Sequence, residues 1–236
     1  MACLPVSLVQ AAEKSDEKVD IAAVKQALVK VIPQARNATI KITPIPGLYE
    51  VTASAEMVLY TTKDASYIIS GDMFDMQNNQ KNLTEVRRGG IRQEALNSLG
   101  EDNMLVYTPK GEVKHTITVF TDIYCPYCQR LHHEMDNYMK NGVKVRYIFV
   151  PFKGEKSVNT SVSVWCAKDR NKAMDMAKSG KAVDKKVCEN PISKHQTLAR
   201  ELGIRGTPAI MLESGQLVPG GYVPSAKLIP QLKSTL

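Results

Sequence analysis

The sequence predicts an α+β chain of two modules joined by a helix, and three observations predict it. Before residue 80 one helical pattern is followed by a run of short alternating segments; after residue 105 strands are spaced by long helical stretches. Between them lies a helical stretch with a capping signal at its start. The 236 residues are ample for two domains.

Residues 1–19 stand apart. Ala2 to Val9 is short and mostly apolar, and Val9-Gln10-Ala11 offers small or apolar residues where a signal peptidase cuts, but no basic segment precedes it. The segment reads as the tail of a secretory signal, with a mature chain starting near Ala12, or else as a disordered end. Residues 20–80 form the first module. Asp20 can cap a helix whose Ile21, Val24, Leu28, Val31 and Ile32 share a face and which Pro33 stops. Thr39–Thr43, Leu48–Ala53, Met57–Thr62 and Tyr67–Ser70 then read as strands separated by turn-forming breaks. A module this small often gains stability by oligomerising.

Residues 81–104 read as a linker helix. Asn82 and Glu85 make a capping-box-like start, and Ile91, Ala95, Leu96 and Leu99 a stripe. Gly89-Gly90 interrupts it. Two glycines cost a helix interior about 2 kcal/mol relative to alanine, so the linker is expected to bend or break there and to leave the two modules mobile.

Residues 105–236 form the second module. Thr116–Thr121 is a strand, a helix runs from the following cysteine pair to about Lys140, and Val143–Val150 is a second strand. Residues 155–203 are mostly helical. Ala209–Leu212 and Gln216–Pro219 read as a short hairpin about Ser214-Gly215, and Ser225–Leu236 as a closing helix with Pro230 in its middle. This is a thioredoxin-like order with a helical insertion.

Composition narrows the class. Hydrophobic residues make up 43% and charged residues 23%, as in a folded globular protein. No apolar run approaches the roughly 18 residues a membrane span requires. The net charge of +7 is uneven: residues 1–110 carry 12 basic and 13 acidic residues, and residues 111–236 carry 19 and 11. Acids are interspersed among the bases and no aromatic-studded stripe accompanies them, so a solvated positive face is expected rather than a nucleic-acid partner.

The cysteines carry the chemistry. Cys3 lies at the end, Cys125 and Cys128 form a C-x-x-C, and Cys166 and Cys188 are a distant pair. A zinc site would need two more ligands; Cys166/Cys188 have the wrong spacing, and His132 and His133, adjacent on a helix, cannot both face a metal held by Cys125. No metal and no cofactor are expected. The pair instead follows an apolar strand and opens a helix. Cys125 takes the N-cap and Pro126 the first helical position, where a missing N–H is harmless. Unpaired N–H groups and the positive helix end stabilise a thiolate, so Cys125 is the expected nucleophile and the deeper Cys128 the resolving thiol. Tyr127 completes the active tetrapeptide. His132 and His133 are read onto the helix's outer face. Gly206-Thr207-Pro208-Ala209 precedes a strand; with a C-x-x-C nearby, a cis Thr207–Pro208 bond is expected, leaving the Thr207 backbone to pair with an extended substrate. Cys166 and Cys188 read as a structural disulfide worth about 3 kcal/mol in the chain-entropy model, the alternative being two buried thiols.

These motifs resemble the dimeric periplasmic disulfide isomerases and reductases of the DsbC/DsbG type. The resemblance rests on Val119-Phe120-Thr121-Asp122 before Cys125, Leu131-His132 after it, Trp165 to Asp169, Gly206 to Ala209, Leu217 to Gly220, and Val58-Leu59-Tyr60 with Ile68 to Met73 in the first module. It implies a periplasmic, V-shaped homodimer whose cystatin-like amino-terminal domains join through edge strands, with Ile68, Ile69, Ser70, Gly71 and Asp72 at the two-fold interface. It implies misfolded, disulfide-containing exported proteins as substrates and a DsbD-type membrane reductase as electron donor. The Pro126-Tyr127 dipeptide looks like the DsbG branch, while the flanking sequence looks like DsbC. The expected function is a disulfide isomerase/reductase. A reductase of oxidised single cysteines and a holdase chaperone are the alternatives.

Overall fold

A computed structural model describes residues 21–234. The signal-like segment 1–19, Cys3 and the Asp20 cap lie outside the described residues.

Helix α1 (Ile21–Val31) buries Val24 and Leu28, one turn apart. Val31, expected on the same stripe, is exposed; only Ile32 beyond the helix end joins the core. The helix covers one face of an antiparallel meander in the order β1 (Thr39–Ile42), β2 (Leu48–Thr52), β3 (Val58–Thr62), β4 (Ile68–Ser70). The register sets Ile40 opposite Val51 and Tyr60 opposite Ile69. Val24, Leu28, Ile40, Tyr49 and Val51 make the core of this module. All three residues of β4, the edge strand, are exposed. A two-residue ladder of β5 (Phe74–Asp75) and β6 (Lys81–Asn82) follows, and it straddles residue 80.

Helix α2 (Leu83–Leu99) starts where the Asn82 side chain accepts the Glu85 N–H at 2.8 Å. It runs unbroken through Gly89-Gly90, which corrects the expected bend. The reason is tertiary. Gly89 is buried against the turn at Ser214-Gly215, where a Cβ would come within 2.6 Å of the Ser214 carbonyl oxygen. Arg92 donates to the Gly215 carbonyl at 3.3 Å and to Glu85 at 2.6 Å, and Gln93 donates to the Glu213 carbonyl. A glycine that lowers helix propensity is kept because it lets two backbones meet.

The second module is built on a sheet in the order β10 (Ala209–Met211), β8 (His115–Thr121), β9 (Val143–Phe149), β7 (Leu105–Tyr107). The central β8 and β9 are parallel and the outer pairs antiparallel. Both faces of the centre are covered. Ile117, Val119, Val145, Tyr147 and Phe149 point into one core; Phe120 and Ile148 point into the other, with Leu96, Leu198, Leu202 and Ile204. The two central strands are joined through α3 (Pro126–His133) and α4 (Met135–Lys140), which divide at Glu134 where one helix was expected. The helical insertion comprises α5 (Glu155–Trp165), α6 (Arg170–Lys178) and α7 (Ile192–Glu201), with 181–190 non-helical. The expected strand at Gln216–Pro219 reduces to one bridge, Leu217 to Met211. Helix α8 (Ser225–Ser234) continues through Pro230.

Candidate active site

The site sits where β8 ends and α3 begins. The strand delivers Thr121 and Asp122 into the interior, both fully buried. The Asp122 carboxylate shapes the turn that follows: it accepts from the Tyr124 N–H at 2.7 Å, the Ser157 hydroxyl at 2.9 Å and the Lys153 N–H at 2.9 Å. Three donors replace the water a buried carboxylate would otherwise need. The turn places Cys125 at the N-cap of α3, with Pro126 first in the helix.

Cys125 and Cys128 are free thiols with different surroundings. Cys125 is 6% exposed and its Sγ lies 3.1 Å from the Thr207 carbonyl oxygen; Cys128 is 1% exposed. Burial pushes the Cys125 thiol up. Hydrogen bonds from the Cys128 backbone and thiol, the Thr207 side chain and the Tyr127 backbone more than offset it, so the pKa falls below that of an ordinary cysteine. Burial also pushes Cys128 up, and there it prevails over the Lys178 charge and the hydrogen bonds from Thr121 and Asp122. Near neutrality the outer sulfur is therefore the better thiolate and the inner one holds its proton. That is the order that attack followed by resolution requires.

The Thr207–Pro208 bond is cis and leads into β10, beside β8. The Tyr127 ring, 54% exposed, lies 6.2 Å from that of Tyr222, with the Arg130 guanidinium 5.3 Å from its centroid. Cys166 and Cys188 are joined, with α carbons 5.7 Å apart, between the end of α5 and the non-helical segment. Ile68 to Asp72 lie far along the chain in the first module, exposed; Asp72 accepts from Arg88 at 2.7 Å.

Helix α3 turns His132 inward, a correction to the outer-face expectation. Its ring bonds the Tyr147 hydroxyl at 3.1 Å and the Asp175 carboxylate at 3.0 Å, while His133 stays exposed. Burial first, then the Lys178 charge, hold His132 down at about 4 despite Asp175, so it is neutral at pH 7. Sequence reasoning gives Thr121 and Asp122 no role beyond the family-like motif they belong to, and gives none to Lys178, whose side-chain nitrogen is buried against both. The Lys178 signal was available: it follows Met174 by four residues on the apolar stripe of α6. Among the described residues no cluster of His, Cys, Asp or Glu is suited to a metal, and no helix is long and apolar enough to cross a membrane.

A thioredoxin-like domain model matches residues 102–235, and a disulfide bond isomerase N-terminal domain model matches residues 10–85. The DsbC thiol:disulfide interchange protein of Salmonella typhimurium is 42% identical over 204 residues, covering 85% of this chain and 82% of its own. The chain belongs to the DsbC family. The DsbC protein of Escherichia coli K12 is 39% identical over 211 residues, 87% of this chain and 84% of that one. Among solved structures, a disulfide interchange protein from Neisseria gonorrhoeae superposes with a TM-score of 0.52 at 27% identity, over 57% of this chain and 96% of that one. This DsbC-family chain is thus a thiol–disulfide oxidoreductase: a β-rich amino-terminal domain carries a thioredoxin-like domain with extra helices, whose Cys125/Cys128 pair serves disulfide isomerase/reductase chemistry.

Proposed function

We propose that the protein is a periplasmic, homodimeric disulfide isomerase that attacks wrong disulfides in exported proteins. The observation that carries the reading is the placement of two free thiols at the head of α3: Cys125 at the N-cap against the Thr207 carbonyl, and Cys128 one turn deeper and buried, an arrangement that favours the thiolate at the first and the thiol at the second. Cys125 is the nucleophile and forms a mixed disulfide with the substrate. The substrate's own thiol then displaces Cys125 in isomerisation, or Cys128 does so in reduction. Pro126 and Tyr127 shape the approach to Cys125. Thr207 and Pro208, against Cys125, are the substrate-backbone contact. Cys166–Cys188 is the structural disulfide of the insertion.

The domains are residues 20–80, cystatin-like and dimerising; 81–104, the linker helix; and 105–236, catalytic, with 1–19 a signal remnant or disordered end. Dimerisation through Ile68 to Asp72 is supported by the exposed edge of β4 and by Tyr67, Ile69, Phe74 and Met76 in water beside it. A DsbD-type membrane reductase would keep the pair reduced.

The test is the reduction potential of the Cys125/Cys128 couple together with refolding of a scrambled disulfide protein, in one preparation. The expected result is a couple less reducing than a cytosolic thioredoxin, with catalysed isomerisation that Cys125→Ala/Cys128→Ala abolishes. A more reducing couple without isomerisation overturns the proposal. Aggregation suppression retained by the double variant would add a holdase role.

A further inference from the structure

Lys178 is buried to 1% exposure, on the core-facing stripe of α6 and behind the end of β8. A lysine is seldom left there without a partner, because an ammonium loses its hydration. Its Nζ donates to the Thr121 hydroxyl at 2.7 Å and to the Asp122 carbonyl at 2.8 Å. The same two partners suit either form of the nitrogen: an ammonium donates to both, and a neutral amine can donate to the Asp122 carbonyl while its lone pair accepts from the Thr121 hydroxyl. The Thr121 hydroxyl also faces Cys128, where it favours the thiolate and draws the pKa down against burial. A hydroxyl donates once and accepts twice, so Thr121 can stand between sulfur and nitrogen as a two-way link.

Other charged or titratable groups face this nitrogen from the surrounding elements. Cys128 and His132 come from α3, Cys125 from its N-cap, and the Asp122 carboxylate from the turn that follows β8. Asp175 lies on α6 and Tyr147 on β9, both bonded to His132. Burial holds Lys178 down at about 8, against the upward pull of Cys128, Asp122 and Cys125. Both forms of the amine are therefore accessible near neutrality.

We propose that Lys178 is a positioning residue for the resolving step, taking the proton of the Cys128 thiol through the Thr121 hydroxyl. The inference rests on the redox reading of the cysteine pair. In the mixed disulfide the Cys128 thiol donates to Thr121, and Thr121 donates to the neutral amine. After transfer the bonds reverse: ammonium to Thr121, Thr121 to the Cys128 thiolate. That thiolate attacks Cys125 Sγ. The Cys125–Cys128 bond forms, the bond from Cys125 to the substrate breaks, and the substrate sulfur leaves with the electron pair. With the negative sulfur gone, Lys178 releases its proton, and in net the departing substrate thiol gains the proton Cys128 lost. The enzyme pair is oxidised by two electrons and the substrate disulfide is reduced by two.

The experiment is rapid mixing of the reduced protein with a fluorescent cystine peptide, resolving attack from release, across pH 6–10. Lys178→Met and Thr121→Val are expected to leave the attack constant within about twofold. Both should slow release at pH 7 about tenfold or more and shift its pH midpoint upward, with Thr121→Ser restoring it. Release with the parent rate and pH profile in Lys178→Met overturns the proposal. Should the variants fail to fold, carbon-13 lysine NMR of the unaltered protein decides. A Lys178 midpoint higher in the reduced than in the disulfide form supports the link, and equal midpoints overturn it. If the unaltered protein forms no mixed disulfide with the peptide, the redox reading itself falls, and this inference with it.

Discussion

The two four-stranded sheets are built on opposite plans. In the second module β8 and β9 are covered on both faces, and Ile117, Val119, Phe120, Tyr147, Ile148 and Phe149 are fully buried. In the first module α1 covers one face of the meander, and the edge strand β4 is exposed along its whole length, with Ile69 52% accessible. The first plan makes a rigid strand end that can hold a cysteine pair to a fixed place. The second leaves an exposed strand edge and an apolar row, which is where the proposed dimer would form. Rigidity and incompleteness are thus assigned to different domains, and α2 joins them.

The largest expected break in this contrast comes from the closed sheet. Phe120→Ala removes a side chain buried at the centre of its core and should cost about 3–5 kcal/mol in denaturant unfolding of the catalytic module. Ile69→Ala, in contrast, should change monomer stability by about 0.5 kcal/mol or less. Comparable losses at both positions would show that β4 is as much a part of its own module's core as β8 is of its neighbour's.

The open sheet breaks differently. Ile68→Lys combined with Ile69→Lys should weaken the proposed dimer about a thousandfold, or ~4 kcal/mol, by adding two like charges per chain to an edge-to-edge contact. Sedimentation should then report a folded monomer. A dimer that persists at submicromolar concentration would move the interface elsewhere.

How far the sequence was legible divides along similar lines. Long alternating or apolar segments such as Leu48–Thr52 and His115–Thr121 announce their strands, and Cys125-Pro126 announces a helix start. Leu105–Tyr107 and the two-residue β5 and β6 were not legible, because three residues carry no period and their pairing partners supply the order. Two adjacent histidines invite a single reading, yet they point about 100° apart, and the spacing of four from Cys128 sets His132 on the inner face of the helix. Local propensity alone predicts a break at Gly89-Gly90. The contact that decides its conformation is more than 120 residues away in the chain, so no local pattern could have disclosed it.

The closed sheet also contains a pH-dependent fastening. His195 is fully buried, accepting the Phe149 N–H at Nδ1 (3.2 Å) while Nε2 faces the Asn103 carbonyl at 2.7 Å. This ties β9 to the turn before β7 through one neutral tautomer. A second proton would set Nδ1–H against the Phe149 N–H. Burial, opposed by the Asn103 carbonyl, holds the pKa down at about 4. The unfolded chain therefore binds this proton from about pH 6.5 downward and the native chain does not. The stability contribution is complete above pH 6.5 and declines as pH falls toward 4, by on the order of 3 kcal/mol. His195→Gln should remove that part of the slope when unfolding midpoints at pH 7 and pH 4.5 are compared with the parent's. An unchanged difference would mean that the histidine accepts its proton in place.

The smallest effect tests the join between the two plans. Gly89 and Gly90 are neighbours in one helix, but their surroundings differ. Around Gly90 a Cβ would find open space; at Gly89 it would press on the Ser214 carbonyl, and Gly215 in turn has the Gly89 backbone where its own Cβ would go. Gly90→Ala should stabilise the chain by about 1 kcal/mol through helix propensity alone. Gly89→Ala gains the same propensity but forces the 214–215 turn away, a net loss of about 1–2 kcal/mol. The two substitutions should therefore move a urea midpoint in opposite directions. Spin labels on α2 and on the 213–216 turn should move apart only in Gly89→Ala. Equal stabilisation by both would return the glycine pair to the role of a flexible break, and with it the mobility of the closed module relative to the open one.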